Sequence, residues 1–411
     1  MKKIFFQKCS LNYIFFLLQV IANFISISLR IDYPEENIEK GDKSIYNSSI
    51  EMINIYLITL CNFFGFIPYC LLKRSFKGNV KKDEDKLNEN EKGKELIYNN
   101  FDVNEYSTKT KKILIYSFLV AIFDFLAEFC YLLFYIIFPN LISEFYEISC
   151  TVAFSVVIQF ILSYLILKIH FYKLQKFTLI INIIIFFIML IFDLINIIVY
   201  KAFDGEIYGV YFLKMIFLAL EYTFVKKAFL DAFLTPYNLL IFRGIYMAFP
   251  PLLFSVLVFF IDKRIFIYMP YFFSDAIYIL RLIGFLIFHF FHDLFSWIII
   301  DRFSPNYLPL CFILDDISFY VSESLEFRKT LNYNTIGWDI YIRIFLYIIL
   351  LIVTLIHNEI IIINLCGLSS DAKYFMDLKV ESENIYSITD DPETLKRYET
   401  LEEMDNNQIN E

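Results

Sequence analysis

Ten long apolar runs restrict what this chain can fold into more than any other feature. A helix crosses a bilayer core, which is about 30 Å thick, with roughly 20 apolar residues, and each run is close to that length. Hydrophobic residues make up 58% of the chain, which is too many for a soluble globular protein. The sequence therefore predicts an all-α polytopic membrane protein with about ten transmembrane helices. The runs are 11–29, 50–72, 113–138, 147–167, 177–199, 207–230, 236–260, 274–300, 305–325 and 341–365.

Two polar segments divide the chain into parts. Residues 73–112 include KGNVKKDEDKLNENEKGKEL, whose mixed charge and few apolar residues predict a disordered cytosolic linker. This linker separates an N-terminal pair of helices with an outer loop (1–72) from the eight-helix remainder of the bundle (113–365). The acidic residues 366–411 predict a disordered cytosolic tail.

The distribution of Lys and Arg predicts the orientation. With the N-terminus inside, the inner connections hold more than twice as many Lys and Arg as the outer ones, which is the bias of cytosolic loops. Both termini are therefore expected in the cytosol, and either an endomembrane or the plasma membrane fits. The expected partners are the lipid bilayer and a small-molecule solute, with a homodimer left open and no nucleic acid.

Two junctions in the second half look alike. Thr235-Pro236 and Ser304-Pro305 each follow an apolar run and begin the next one. The hydroxyl can cap the free N–H groups of the new helix, and proline suits its first position because that N–H has no partner. In the first half, CTVAFSVVIQFILSYLILKIHFYKLQKFTLIINIIIFFIML joins two helices through a short basic turn and a glutamine.

These junctions, ten spans and two inside termini resemble the drug/metabolite transporter superfamily, including its nucleotide-sugar transporter branch. The resemblance implies two five-helix inverted repeats. It also implies that the protein moves a small polar or anionic metabolite, such as a nucleotide sugar, by alternating access. A transporter of this kind performs no chemistry on its solute, so we expect neither catalytic residues nor a cofactor.

Many ionisable residues lie inside the apolar runs. Each costs at least about 2.5 to 3.5 kcal/mol at mid-bilayer, so such residues usually face the bundle interior and have partners. We therefore expect a set of them to line a passage for the solute. The set is Asp124, Glu128, Lys214, Glu221, Arg281, His289, His292, Asp293 and Asp316.

Depth along the helices suggests which of these residues meet. A helix rises about 1.5 Å per residue, so Glu221 and Arg243 lie near one level. This match predicts a structural ion pair, with a gate as the alternative. Asp124 and His289 also share a level, and they would form either a proton-titratable site or a static hydrogen-bonded contact.

The stretch FHFFHDLFSW, Phe288 to Trp297, leaves further alternatives open. His289, His292 and Asp293 share one side of a helix, and His357 and Glu359 lie at a matching depth in the last run. Together they could serve a divalent-metal transporter. His292 as general base with Asp293 as orienting acid would instead suit a membrane-embedded transferase. The seven cysteines are scattered and have the pattern of small apolar residues, so no zinc cage or disulfide framework is expected.

Overall fold

The computed structural model describes residues 4–6, 14–29, 43–70, 103–137, 150–200, 206–261, 276–317 and 337–363. These residues are mostly helical, with short connections between helices and one pairing of two short strands, β1 (Ile4–Phe6) and β2 (Ile361–Ile363). The helices are α1 (Ile14–Leu29), α2 (Lys43–Asn62), α3 (Val103–Ile137), α4 (Cys150–Ile166), α5 (Lys173–Tyr200), α6 (Glu206–Ala232), α7 (Pro236–Met247), α8 (Phe249–Ile261), α9 (Ala276–Arg302), α10 (308–317) and α11 (Gly337–His357). Short 3₁₀ turns, Phe63–Gly65 and Pro305–Tyr307, follow α2 and precede α10.

The helical class predicted from the apolar runs is confirmed, since each run contains helix. Among the described residues, five helices are long and apolar enough to cross a membrane, which is compatible with a membrane protein. Their apolar parts are Ile53–Cys70, Thr110–Cys130, Lys173–Ile195, Tyr208–Ala232 and Ile279–Arg302. The same part of the chain has three shorter apolar helices, namely Ile14–Ser26, Cys150–Ile166 and Tyr341–His357.

Some boundaries differ from those predicted. Helix α3 begins at Val103, ten residues before the start of the predicted apolar run at 113. The polar residues 103–112 contain neither proline nor glycine, so nothing in them ends a helix, and hydropathy marks only where the apolar surface begins. The rest of the predicted linker, 73–102, and the predicted acidic tail, 366–411, lie outside the described residues.

Both predicted helix caps are confirmed. The Thr235 hydroxyl accepts a hydrogen bond from the Asn238 amide at the start of α7, with Pro236 at the first helical position. The Ser304 hydroxyl likewise accepts a bond from the Asn306 amide in the turn before α10. These bonds satisfy amide groups that a helix start leaves without a helical partner.

The described helices carry apolar side chains on the outside and polar side chains within. Phe260, Leu280 and Leu253 are exposed by 79%, 70% and 69%, whereas Gln19 and Asn182 are completely buried. A soluble surface would rarely expose so many large apolar groups. A lipid-facing surface does so because hydrocarbon is its solvent.

The interior forms two cores. The larger core is built from α2, α3, α6, α7 and α9, with α1 lying against α9. The smaller core joins α4, α5 and α11 with the start of α6 and with Ile313 of α10. Each core therefore combines helices from both halves of the sequence.

Candidate functional site

Arg243 lies in the larger core, close to the end of its helix. It is on α7, four residues before that helix ends at Met247. Helix α8 begins at Phe249 and carries Pro250 and Pro251 in its first turn. Proline has no amide hydrogen, so Pro250 and Pro251 remove helical hydrogen bonds at this point. Ala248, between the two helices, keeps helical backbone angles (φ −66°, ψ −29°). Arg243 thus sits about two turns before an interruption in the hydrogen-bond ladder of a long apolar segment.

Three carboxylates surround the Arg243 guanidinium. Asp124 of α3 accepts bonds on one oxygen, with Oδ2 2.7 Å from Nε and 2.6 Å from Nη2. Asp293 Oδ2 of α9 lies 2.9 Å from Nη1. Glu221 Oε1 of α6 lies 3.8 Å from the same nitrogen. We call these four residues the Arg243 cluster, which ties together four helices and includes the predicted Glu221–Arg243 pair.

The cluster is buried, and its acidic side chains outnumber its one basic side chain. Its side chains are exposed by only 3% to 9%, and with all groups ionised the three carboxylates outnumber the one cation. The Trp297 ring supports the guanidinium, whose carbon lies 5.2 Å from the ring centroid. Buried charge is costly unless it is paired. The excess of carboxylates therefore favours the binding of a proton or of a positively charged group.

Two histidines extend the cluster on α9. His292 Nδ1 lies 3.1 Å from Asp293 Oδ1, and His289 Nε2 lies 3.8 Å from the same oxygen. Their side chains are 13% and 18% exposed, so they form the more accessible side of the group. The meeting of Asp124 with His289 that depth suggested takes an indirect form, because Arg243 and Asp293 lie between them.

Cys61 also belongs to this neighbourhood, and the sequence did not reveal it. Its sulfur, a His289 ring nitrogen and an Asp293 carboxylate oxygen all lie within 4.8 Å of one another. Helix α2 brings the thiol close because small residues let it approach α7. A Cβ on Gly244 would lie 3.0 Å from the Cβ of Asn62, and one on Gly65 would lie 3.1 Å from that of Leu240.

The remaining residues predicted to line a passage do not all join the cluster. Glu128 is half-buried one turn along α3 from Asp124, and Lys214 is buried on α6. Arg281 is exposed on α9. Asp316 accepts a hydrogen bond from the Tyr347 hydroxyl at 2.8 Å, next to the smaller core. The predicted residues therefore do not form a single site: some belong to the Arg243 cluster, Asp316 lies next to the smaller core, and Arg281 is on the surface.

His357 lies in the smaller core and does not contribute to the α9 histidine group. Its ring stacks on Phe160 with centroids 3.7 Å apart, and its Nδ1 lies 3.0 Å from the Thr178 hydroxyl. Glu359 follows in a left-handed turn with φ 58°. Helix α11 packs on α5 whereas α9 packs on α1. Equal depth in the membrane does not place two residues on facing sides of a bundle.

The smaller core has its own buried ion pair. Arg343 Nη1 on α11 lies 3.0 Å from Asp193 Oδ1 on α5. The other oxygen of Asp193 accepts a bond from the Cys150 amide at 2.9 Å, at the start of α4. A carboxylate at a helix N-terminus satisfies free amides and the helix dipole. Asp193 therefore fastens three helices together.

Comparisons of the chain with protein-family models and with curated proteins give no match. Within its described residues the chain is a helical protein with five candidate membrane spans and a buried charged cluster to which three of these spans and α7 contribute.

Proposed function

We propose that this chain is an integral membrane transporter and that the Arg243 cluster is the centre of its solute site. The observation that carries the proposal is the burial of three carboxylates around one guanidinium among helices of a membrane protein. Ionisable groups are rare at such depth because they are costly, and they usually mark the path of a solute, an ion or a proton.

The helix interruption next to the cluster supports the same function. Secondary transporters commonly bind their solutes where a membrane helix is interrupted near the midplane. Here Pro250 and Pro251 interrupt the hydrogen-bond ladder between α7 and α8, about two turns after Arg243. Tyr56 of α2 donates a hydrogen bond to the Pro251 carbonyl and contacts the Ser255 hydroxyl. These bonds link the start of α8 to α2.

The charges of the cluster narrow the solute class. Arg243 is already shared by Asp124, Asp293 and Glu221, so little of its positive charge is left for an anion. A polar solute with a cationic group fits this excess of carboxylates better than a nucleotide sugar does. An anionic metabolite would have to enter together with protons or with a metal cation.

The proposal includes ten crossings in two five-helix halves, with both termini in the cytosol. The pairing of β1 with β2 supports an even number of crossings. It sets Ile4 opposite Ile363, so the segment before α1 lies beside the segment after α11. Paired strands are about 4.8 Å apart, so the two segments lie on the same side of the bundle.

Uptake into proteoliposomes tests the proposal. The full chain would be offered a panel of amines, amino acids, sugars, sugar phosphates and nucleotide sugars, with and without a proton gradient. We expect uptake of a polar solute that Asp124→Asn abolishes and Asp316→Asn preserves, because Asp316 is a carboxylate outside the cluster. Absence of uptake across the panel, or equal uptake by the Asp124→Asn variant, would contradict the proposal.

The His292–Asp293 contact at 3.1 Å favours the transferase as the competing function. A general base needs its carboxylate partner for orientation, but Asp293 also binds Arg243. The two functions differ in what His292→Ala should do. A transferase would lose turnover and keep its substrate affinity, whereas a transporter with His292 at the rim of its site would bind the solute more weakly.

A further inference from the structure

Three side chains with different donor atoms converge on one point of the larger core. They are the Cys61 thiol from the last turn of α2 and, from α9, the His289 imidazole and the Asp293 carboxylate. All three donor atoms lie within 4.8 Å of one another. Two of the three come from one helix, where His289 and Asp293 are four residues apart and project from the same face.

The spacing suits a small transition-metal cation. Zinc binds sulfur at about 2.3 Å and histidine nitrogen at about 2.0 to 2.1 Å in tetrahedral geometry, so two of its ligands stand roughly 3.5 Å apart. The His289 and Asp293 donor atoms are already 3.8 Å apart. The Cys61 thiol donates to the Ile58 carbonyl of its own helix, and binding a metal would require it to give up this bond.

The two carboxylate oxygens of Asp293 contact different partners, so one of them is not bound to Arg243. Oδ2 accepts the bond from Arg243, whereas Oδ1 faces both histidines. A cation near Oδ1 is therefore separated from the guanidinium by the carboxylate itself. Asp124 holds the other side of Arg243, which keeps the guanidinium turned toward Oδ2.

The charge of the surroundings also suits a divalent cation. Asp124, Glu221 and Asp293 together carry two more negative charges than Arg243 neutralises when all are ionised. A dication beside Asp293 would balance this excess in a place where water has little access. Buried charges gain most from such compensation because the interior screens them poorly.

We propose that Cys61, His289 and Asp293 form a binding site for a divalent transition-metal cation of the zinc type. His292 contacts Asp293 Oδ1 at 3.1 Å and orients the carboxylate without binding the metal itself. Three protein ligands leave the fourth tetrahedral position open, as in zinc sites that bind a water or a substrate. Binding converts the Cys61 thiol to a thiolate and releases its proton to solvent. The site shares Asp293 with the Arg243 cluster, but the proposal concerns metal binding and is tested without any transport measurement.

Metal binding by the full chain in detergent tests the proposal. Protein purified without chelator, stripped and then dialysed against zinc should hold about one zinc per chain. Cobalt in place of zinc should give the absorption of a thiolate-to-cobalt charge transfer. Cys61→Ala should abolish that band and weaken zinc binding by more than the roughly tenfold that loss of a hydrogen-bond partner of a ligand already costs.

Matched variants separate ligation from damage to the fold. Cys311→Ala removes another completely buried thiol of the same core and should keep the band. His289→Gln changes a partly exposed side chain and should weaken zinc binding while the chain stays folded, whereas His170→Gln, at an exposed histidine, should not. A wild-type chain without bound zinc, or a cobalt band that survives in Cys61→Ala, would overturn the proposal whether or not the chain transports a solute.

Discussion

At the scale of residues, Arg243 is the most consequential side chain of the larger core. It is the cation shared by Asp124, Asp293 and Glu221. Arg243→Gln would leave these buried carboxylates without their counter-charge, and loss of one partner of a buried ion pair costs about 3 to 5 kcal/mol. We expect a correspondingly large drop in the thermal unfolding temperature of the detergent-solubilised chain.

Two further variants control for this prediction. Arg281→Gln changes an exposed arginine of α9 and should alter stability by no more than about 0.5 kcal/mol. Adding Asp124→Asn to Arg243→Gln should recover part of the lost stability, because it removes one of the uncompensated charges. If the double variant were as unstable as the sum of the two single variants, the residues would not act as one charged cluster.

The sequence could indicate the levels of these residues but not all of their contacts. The rise of a helix was enough to put Glu221 and Arg243 at one depth, and they do lie 3.8 Å apart. The same reasoning paired the α9 histidines with His357, which instead stacks on Phe160. Depth leaves the angular position around the bundle undetermined. Cys61 carried no signal, since a lone cysteine in an apolar helix has the pattern of a small core residue.

At the scale of elements, α2 approaches α7 closely beside the Arg243 cluster. Gly244 lies where a Cβ would be 3.0 Å from the Asn62 Cβ. Gly244→Ala should push the two helices apart and destabilise the chain by about 1 to 3 kcal/mol. Thermal unfolding checks this. Gly209→Ala on α6, where a Cβ would meet nothing within 4 Å, should be neutral or slightly stabilising because alanine favours helix.

Lys226 of α6 provides a second prediction at this scale. Its ammonium donates to the carbonyls of Ile300, Asp301 and Phe303 at 2.9, 2.9 and 3.2 Å, where α9 ends. A cation there satisfies free carbonyls and the helix dipole. Lys226→Met should cost about 1 to 2 kcal/mol in the free energy of unfolding. A loss of the same size in the neighbouring Lys227→Met variant would show that charge alone, and not this cap, matters.

Elements were more predictable than contacts. Every apolar run contains helix, and the starts at Pro236 and Pro305 have the caps that their sequences indicate. The interruption of the hydrogen-bond ladder between α7 and α8 was missed because hydropathy continues across it, although Pro250-Pro251 is a signal for it. The start of α3 at Val103 was also missed, since its first turns are polar.

At the scale of the whole molecule, the sequence predicted a helical, lipid-facing chain but did not predict which helices pack against each other. Hydropathy predicts that helices face lipid, and the exposed Phe260 and Leu280 agree with this. It does not say which helices adjoin, so the division into two cores came from the structure alone. Side-by-side packing depends on the shapes of many small surfaces, and a single sequence does not reveal these.

The pairing of β1 with β2 gives a prediction of sidedness. Epitopes placed before residue 4 and after residue 363 should be reached by antibody from the same side of the membrane. The reason is that β1, next to the first epitope, pairs with β2, next to the second. In intact cells both should be hidden, and in permeabilised cells both should be bound. An epitope at 262–275, predicted to lie on the outer side, serves as the control. Accessibility of only one terminal epitope in intact cells would contradict the predicted topology.

The most direct test of the central claim, that the Arg243 cluster is the solute site, is a binding measurement. Purified chain would be titrated with the solute that the uptake panel identifies, using Asp124→Asn and Asp193→Asn as matched variants. Both aspartates are buried, and each pairs with an arginine in one of the two cores. We predict that Asp124→Asn weakens binding about 10- to 100-fold, the range for a hydrogen bond to a charged group, and that Asp193→Asn binds like the wild type. Equal affinity in Asp124→Asn and the wild type, or an equal loss in both variants, would contradict the account.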